Sequence, residues 1–555
     1  MDTTAESADE RALIAPRADT TRSPSDGSVQ RLGAAVQTGD LDAVTAVLRR
    51  SWFELLSSHS EEARRILDRT DASRRSGYPL ISMMLALTYN ATGYRRIKAA
   101  LHFSAAIRGG HSVRARTDAV DRALIHVSEA AAYRLLGMPR KGVAAARAAQ
   151  RELASLTPQQ RSEISQLPRL HTQIGMTLYY SGMLDDAMEA FEHGVAESPD
   201  SPPSPGFGSL AMLAGIHALR GNGREAAELI DLAVTGPWTD EQRSMYSGTF
   251  YRIAEAILAL ERRDVESARA HMQAMVHDRR SIEHWTTIAS IEALIEILDG
   301  RPGAGLAALD GFAAMRGREA RSADARSALA PVRILASLAL ANPAEAEAVM
   351  HRDLPVGPVR HLVAARILLS RGEVGAALGE LAMTTGALKS PRARAEAAAL
   401  EAAALLRRSS PASAARAVER LGALLSHSGM QLPVLLLPGG DAARVVERLG
   451  EAGFAELFAG VTLPEVVPDT SDATGLTKRE LVVLDALTRS ASAGDIAAEL
   501  YVSVNTIKTQ LRNLYRKLGV SSRDDALRAA GERNLLVLAR AAGRSDSPQD
   551  RLPRG

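Results

Sequence analysis

The chain has 555 residues, with 67 Lys and Arg against 65 Asp and Glu, so its formal net charge is only +2. That length exceeds what one core usually organises, and near-neutrality argues against a polycation that coats nucleic acid or anionic membranes. There is no cysteine, which excludes disulfides, thiolate metal ligands and thiol nucleophiles.

Residues 1–28 are rich in Asp, Thr, Ser and Pro and poor in large apolar groups, the composition of a disordered segment. They mix acids with bases and contain no apolar core, so no secretory signal is expected. No apolar run reaches the roughly 18 residues needed to span a bilayer. The expectation is a soluble cytoplasmic protein with no membrane partner.

From residue 29 to 460 the pattern predicts helix after helix. Ala, Leu, Arg and Glu dominate, and no two-residue alternation suggests strands. One helix ends at Gly or a short polar turn, and the next opens with acids and Ala. Examples begin at Gly182, Gly221, Arg263, Asn342 and Gly372; earlier turns are expected at Gly39, Gly93 and Gly137. Small residues at 187, 226, 268, 307 and 346 recur at roughly 40-residue intervals, the signature of stacked helical hairpins. A larger residue often follows four positions later, as Phe191 follows Ala187, Ile230 follows Ala226 and Met272 follows Ala268. Such pairs share one helix face and suit close packing. The region resembles degenerate tetratricopeptide repeats. Residues 461–475, with Pro464, Pro468, three acids and Gly475, read as a linker, and 541–555 as a disordered tail.

Residues 476–540 carry eleven Lys or Arg against seven Asp or Glu, a local balance of +4. Thr477 with Glu480, and Ser492 with Asp495, have capping-box spacing, and Ser503 caps a helix that can run through Leu518 to Gly519. Along that helix Val504, Ile507, Leu511, Leu514 and Leu518 form an apolar stripe. Asn505, Lys508, Thr509, Arg512 and Arg516 share the opposite face, and no acid lies between Val504 and Leu518. An amphipathic surface helix would show the same two faces. One fixed by its apolar side and offering cations and short hydrogen-bonding groups also suits the DNA major groove.

The whole stretch resembles the LuxR-type (FixJ/LuxR/GerE) helix-turn-helix domain. The similar segments are Leu476-Thr477-x-Arg479-Glu480, Asp495-Ile496-Ala497-x-x-Leu500, Val502-Ser503-x-x-Thr506-Ile507-Lys508 and Lys517-Leu518-Gly519-Val520-x-x-Arg523. The resemblance implies four helices, the third reading DNA and the fourth, about 523–533, forming a dimer contact. It implies base contacts from Lys508, Thr509 and Arg512, with Thr477, Ser503 and Thr506 near phosphates. Asn505, Gln510, Arg516 and Lys517 complete the expected DNA-binding set. Gln510 stands where the family most often has His, and Ser490-Ala491 where it has Gly-Leu. The segment from Leu41 to Gly93 is similar to the start of the repeat region in MalT-like regulators. On that comparison the chain would keep their repeats and DNA-binding domain without their ATPase module, and no G-x-x-x-x-G-K-[ST] loop occurs.

No catalytic motif is found, and paired acids such as Asp185-Asp186 and Asp524-Asp525 sit where helix starts favour them. Scattered histidines show no metal-ligand spacing. No enzyme activity, cofactor or metal is expected. The sequence therefore predicts an all-α, non-enzymatic transcriptional regulator. Its partners would be double-stranded DNA, a second copy of itself on that DNA, RNA polymerase, and an unidentified ligand or protein on the repeats. The alternative is a repeat-scaffold adaptor whose helix-turn-helix contacts protein.

Overall fold

In the computed structural model, the described residues are 26–90, 96–110, 117–200, 202–275, 283–408, 410–461, 463, 465–468, 478–490, 492–518, 520–532, 535–536 and 539. The expected turn at Gly93 and the tail 541–555 lie outside them. Among them the chain is helical throughout, without a named strand. The first helix begins at Asp26, just inside the segment read as disordered.

Two units organise the chain, one mostly before residue 284 and one mostly after it. In the first, Pro79–Asn90 pairs with Arg96–Gly110, Ala119–Leu135 with Pro139–Ser155, and Leu167–Tyr180 with Leu184–Ala196. In the second, Trp285–Leu298 pairs with Pro302–Arg316, Ala323–Ala339 with Pro343–Asp353, Pro358–Ser370 with Val374–Ala382, and Pro391–Arg407 with Pro411–Ser428. The first helices of these successive hairpins also stack on one another.

One turn recurs between the paired helices. The amide three residues past the helix reaches back five positions, as from Met138 to Tyr133 O, Met183 to Leu178 O, Arg301 to Glu296 O and Glu373 to Leu368 O. This bond closes the helix end when the intervening residue turns left-handed. Gly137, Gly182, Gly300 and Gly372 do so, with φ between 65° and 78°. Where glycine is missing, Arg263 and Ala341 adopt the same conformation at 60° and 56°.

The predicted small residues Ala187, Ala226, Ala268 and Ala346 are all fully buried. Ala307 is exposed instead, as is Ala376 in the helix opening after Gly372; the buried small residues there are Gly305 and Ala377, each followed four positions later by buried Leu309 or Leu381. The period was visible in the sequence, but its phase slipped by one or two residues in these alanine-rich helices, where many positions are equally small.

The segment read as a linker is partly packed. Val467 is fully buried and Val466 nearly so. Val467 forms a parallel bridge with Pro438, and its carbonyl accepts from the Gly439 amide at 2.6 Å. Among the described residues, no helix is long and apolar enough to cross a membrane.

Candidate nucleic-acid interface

Four helices follow: α1 (Lys478–Arg489), α2 (Ala493–Glu499), α3 (Val504–Leu518) and α4 (Arg523–Glu532). They enclose a core of their own, in which Leu484, Ile496, Ile507, Leu514 and Ala526 are almost wholly buried. Leu535 and Ala539, beyond α4, close that core.

Local chemistry sets the helix starts. Ser492 accepts from the Asp495 amide at 3.2 Å while Asp495 accepts from the Ser492 amide, a complete capping box. Ser503 accepts from the Thr506 amide at 3.1 Å and its hydroxyl lies 2.8 Å from that of Thr506. Two of the expected caps therefore stand, and Thr477 lies outside the described residues. Its expected partner Glu480 is buried, and its carboxylate accepts from Lys517 Nζ at 2.7 Å. That bond ties α1 to α3 through Lys517, expected on DNA, which is itself exposed.

Arg489 clamps α1 to α2. Its guanidinium donates to Glu499 at 2.6 Å and pairs with Asp485, while Ser490 donates to Glu499 at 2.9 Å. Burial pushes the Glu499 carboxyl up, but the hydrogen bonds from Arg489 and Ser490 outweigh it and hold it below its ordinary value. The hydroxyl of Ser490, where the resemblance expects Gly, thus has a structural use. Arg523 donates to the Leu487 carbonyl at 2.9 Å, which binds the start of α4 to the end of α1.

This framework leaves one face of α3 outward. Ser503, Asn505, Thr506, Lys508, Thr509, Arg512 and Arg516 are exposed, and Gln510 is half-buried. The Thr509 hydroxyl donates to the Asn505 carbonyl at 3.0 Å. Lys508, Arg512 and Arg516, one helical turn apart, line an open cleft of about 460 Å³ with Leu511, Tyr515, Val520 and Ser521. Among the described residues these three cations form no ion pair. The apolar side also needs a correction: Ile507, Leu514 and Leu518 are buried and Leu511 half-buried, but Val504 is 43% exposed. The first turn of α3 projects past the core that holds the later turns.

Residues 474–530 match a family described as "Bacterial regulatory proteins, luxR family". They form a LuxR-type helix-turn-helix domain. The same region is similar to proteins called "HTH-type transcriptional regulator MalT". The one from Yersinia enterocolitica is 44% identical over 81 residues, and that from Cronobacter sakazakii 46% over 81. Each alignment covers 14% of this chain and 9% of the relative. Among solved structures, one titled "Structure of Naa15/Naa10 bound to HypK-THB" covers 94% of both chains, but its TM-score is 0.16 at 11% identity. A superposition that poor carries no argument about the repeats.

In the LuxR-type domain, sequence reasoning expected the outward face of α3, set Val504 on its apolar stripe and gave Tyr501 no place. The one signal for Tyr501 was the absence of glycine from the turn between α2 and α3. Among the described residues, no cluster of His, Asp and Glu could hold a metal ion.

Proposed function

We propose that this chain is a sequence-specific DNA-binding transcriptional regulator. Its LuxR-type domain sets α3 in the major groove, and its helical repeats receive a signal or partner that governs the availability of that domain. The observation that carries the reading is the acid-free outer face of α3, where Lys508, Arg512 and Arg516 stand without ion-pair partners among the described residues. Lys and Arg there can donate to guanine acceptors, and Asn505, Thr506, Thr509 and Gln510 can reach other base edges or phosphates. Thr477, Ser503 and Lys517 complete the proposed backbone contacts, with Lys517 also bonded to Glu480.

The chain binds as a dimer, with α4 at the contact, on half-sites about one helical turn of DNA apart. RNA polymerase is the partner through which bound protein alters transcription. The MalT relatives are regulators by name, and their likeness to this chain supports the reading for its C-terminal part.

The test is selection of sheared genomic DNA on the full-length protein beside its Lys508→Ala/Arg512→Ala variant. Enrichment of a shared, partly palindromic site by the wild type alone is expected. If neither protein enriched any site, even at low salt, the domain would have to serve protein contacts and the adaptor reading would replace this one.

A further inference from the structure

Tyr501 lies in the turn between α2 and α3 with a left-handed backbone, φ 54°. The Val502 amide bonds the Ala497 carbonyl at 3.0 Å, the same five-position closure that ends the repeat helices. In those turns the left-handed position is mostly glycine, because a Cβ there crowds the following carbonyl. Tyr501 takes this disfavoured conformation and gains no burial in return: it is 84% exposed, the most exposed large hydrophobic among the described residues. Among the described residues its side chain makes no hydrogen bond or ring contact. A strained residue whose side chain does nothing for the fold points to a partner outside it.

Its surroundings say which partner. Tyr501 sits two residues before the cap of α3, beside exposed Ser503, Val504 and Thr506. The nearest exposed carboxylate on α2, Glu499, is paired with Arg489. A recognition helix enters the groove by its N-terminal end, so the turn feeding it runs along the sugar-phosphate backbone. Tyrosine hydroxyls are among the groups that bond phosphate oxygens.

We propose that Tyr501 is a DNA-backbone contact, its hydroxyl donating to a phosphate while its ring covers the adjoining sugar. Val504 beside it meets the groove as an apolar group able to touch a thymine methyl. This assignment rests on the DNA-reading function proposed above.

The test uses the full-length chain with Tyr501→Gly and Tyr501→Phe, a duplex enriched by the wild type, and a scrambled duplex of equal length. Glycine relieves the strained turn, so Tyr501→Gly should melt no lower than the wild type, and Tyr501→Phe should melt with it. Both should bind each duplex roughly three- to tenfold more weakly, the size of one lost hydrogen bond. Equal loss on both duplexes marks a phosphate contact, which carries no sequence information. Wild-type affinity in both variants would overturn the proposal while leaving the DNA reading intact. Loss confined to the enriched duplex, with Tyr501→Phe unaffected, would overturn the phosphate assignment in favour of base reading. A wild type that enriched no duplex would defeat the functional reading and this proposal with it.

Discussion

Four cations line α3, yet one of them has a different task. Lys508, Arg512 and Arg516 face outward, whereas Lys517 neutralises Glu480, a carboxylate 3% exposed. Removing an ammonium that donates to a buried carboxylate costs about 1–3 kcal/mol. Lys517→Ala should therefore destabilise the LuxR-type domain by that amount, read as faster amide exchange at Ile507 and Leu514. Lys508→Ala and Arg512→Ala should leave exchange unchanged and weaken DNA binding with a shallower salt dependence. The sequence could show that Lys517 was a cation on a basic helix. It could not show that the partner stood 37 residues earlier. The caps at Ser492 and Ser503 were legible for the opposite reason: each acts on an amide three residues away.

At the scale of elements, the hairpin period was readable because every pair must bury a small residue against its neighbour. What those residues pack against was not, because it depends on a second helix. Gly175, inside Leu167–Tyr180, shows the consequence. A Cβ there would stand 2.4 Å from the ring of Phe191 on the following helix. In an isolated helix, replacing Gly by Ala helps by about 1 kcal/mol. Here the overlap with a fully buried ring dominates, since overpacking a filled core costs about 1–3 kcal/mol. Gly175→Ala should lower the urea midpoint, and Phe191→Leu in the same chain should recover part of the loss. If Gly175→Ala raised the midpoint, the contact would be looser than described.

The clamp between α1 and α2 behaves differently, because it titrates. The Glu499 carboxyl is held below its ordinary value in the folded domain, so the unfolded chain binds its proton more readily. Its contribution is complete above the unfolded value, near pH 4.3 for Glu, and disappears as pH falls through the lower folded value. Acidification should loosen the LuxR-type domain in that window. Glu499→Gln should remove this component of the pH dependence, measured as amide exchange at Ile496 between about pH 3 and 5.

For the whole molecule, the question is how the repeats govern the domain beyond them. The segment between them was legible as a linker from its prolines, acids and glycine. Its anchoring at Val467 was not, because two adjacent valines among such residues give no periodicity, and their burial depends on Pro438 and Gly439 far upstream. Anchoring sets reach. From Pro468 to residue 477 the tether holds about ten residues, which span at most ~35 Å when extended. Were the strap released from residue 461 onward, about seventeen residues would span ~60 Å. A domain bound to DNA is therefore held closer to the repeats by the anchored strap than by a released one. Val467→Asp places a charge in a site with no exposure and should detach the strap while leaving the hairpins and the core of α1–α4 intact. Two results are then expected: faster proteolysis within 461–475, and a change in the DNA affinity of the full-length chain as the repeats lose their hold on the domain. If proteolysis quickened while DNA affinity stayed fixed, the strap would be a packing element only, and control by the repeats would have to run through direct contact with the domain.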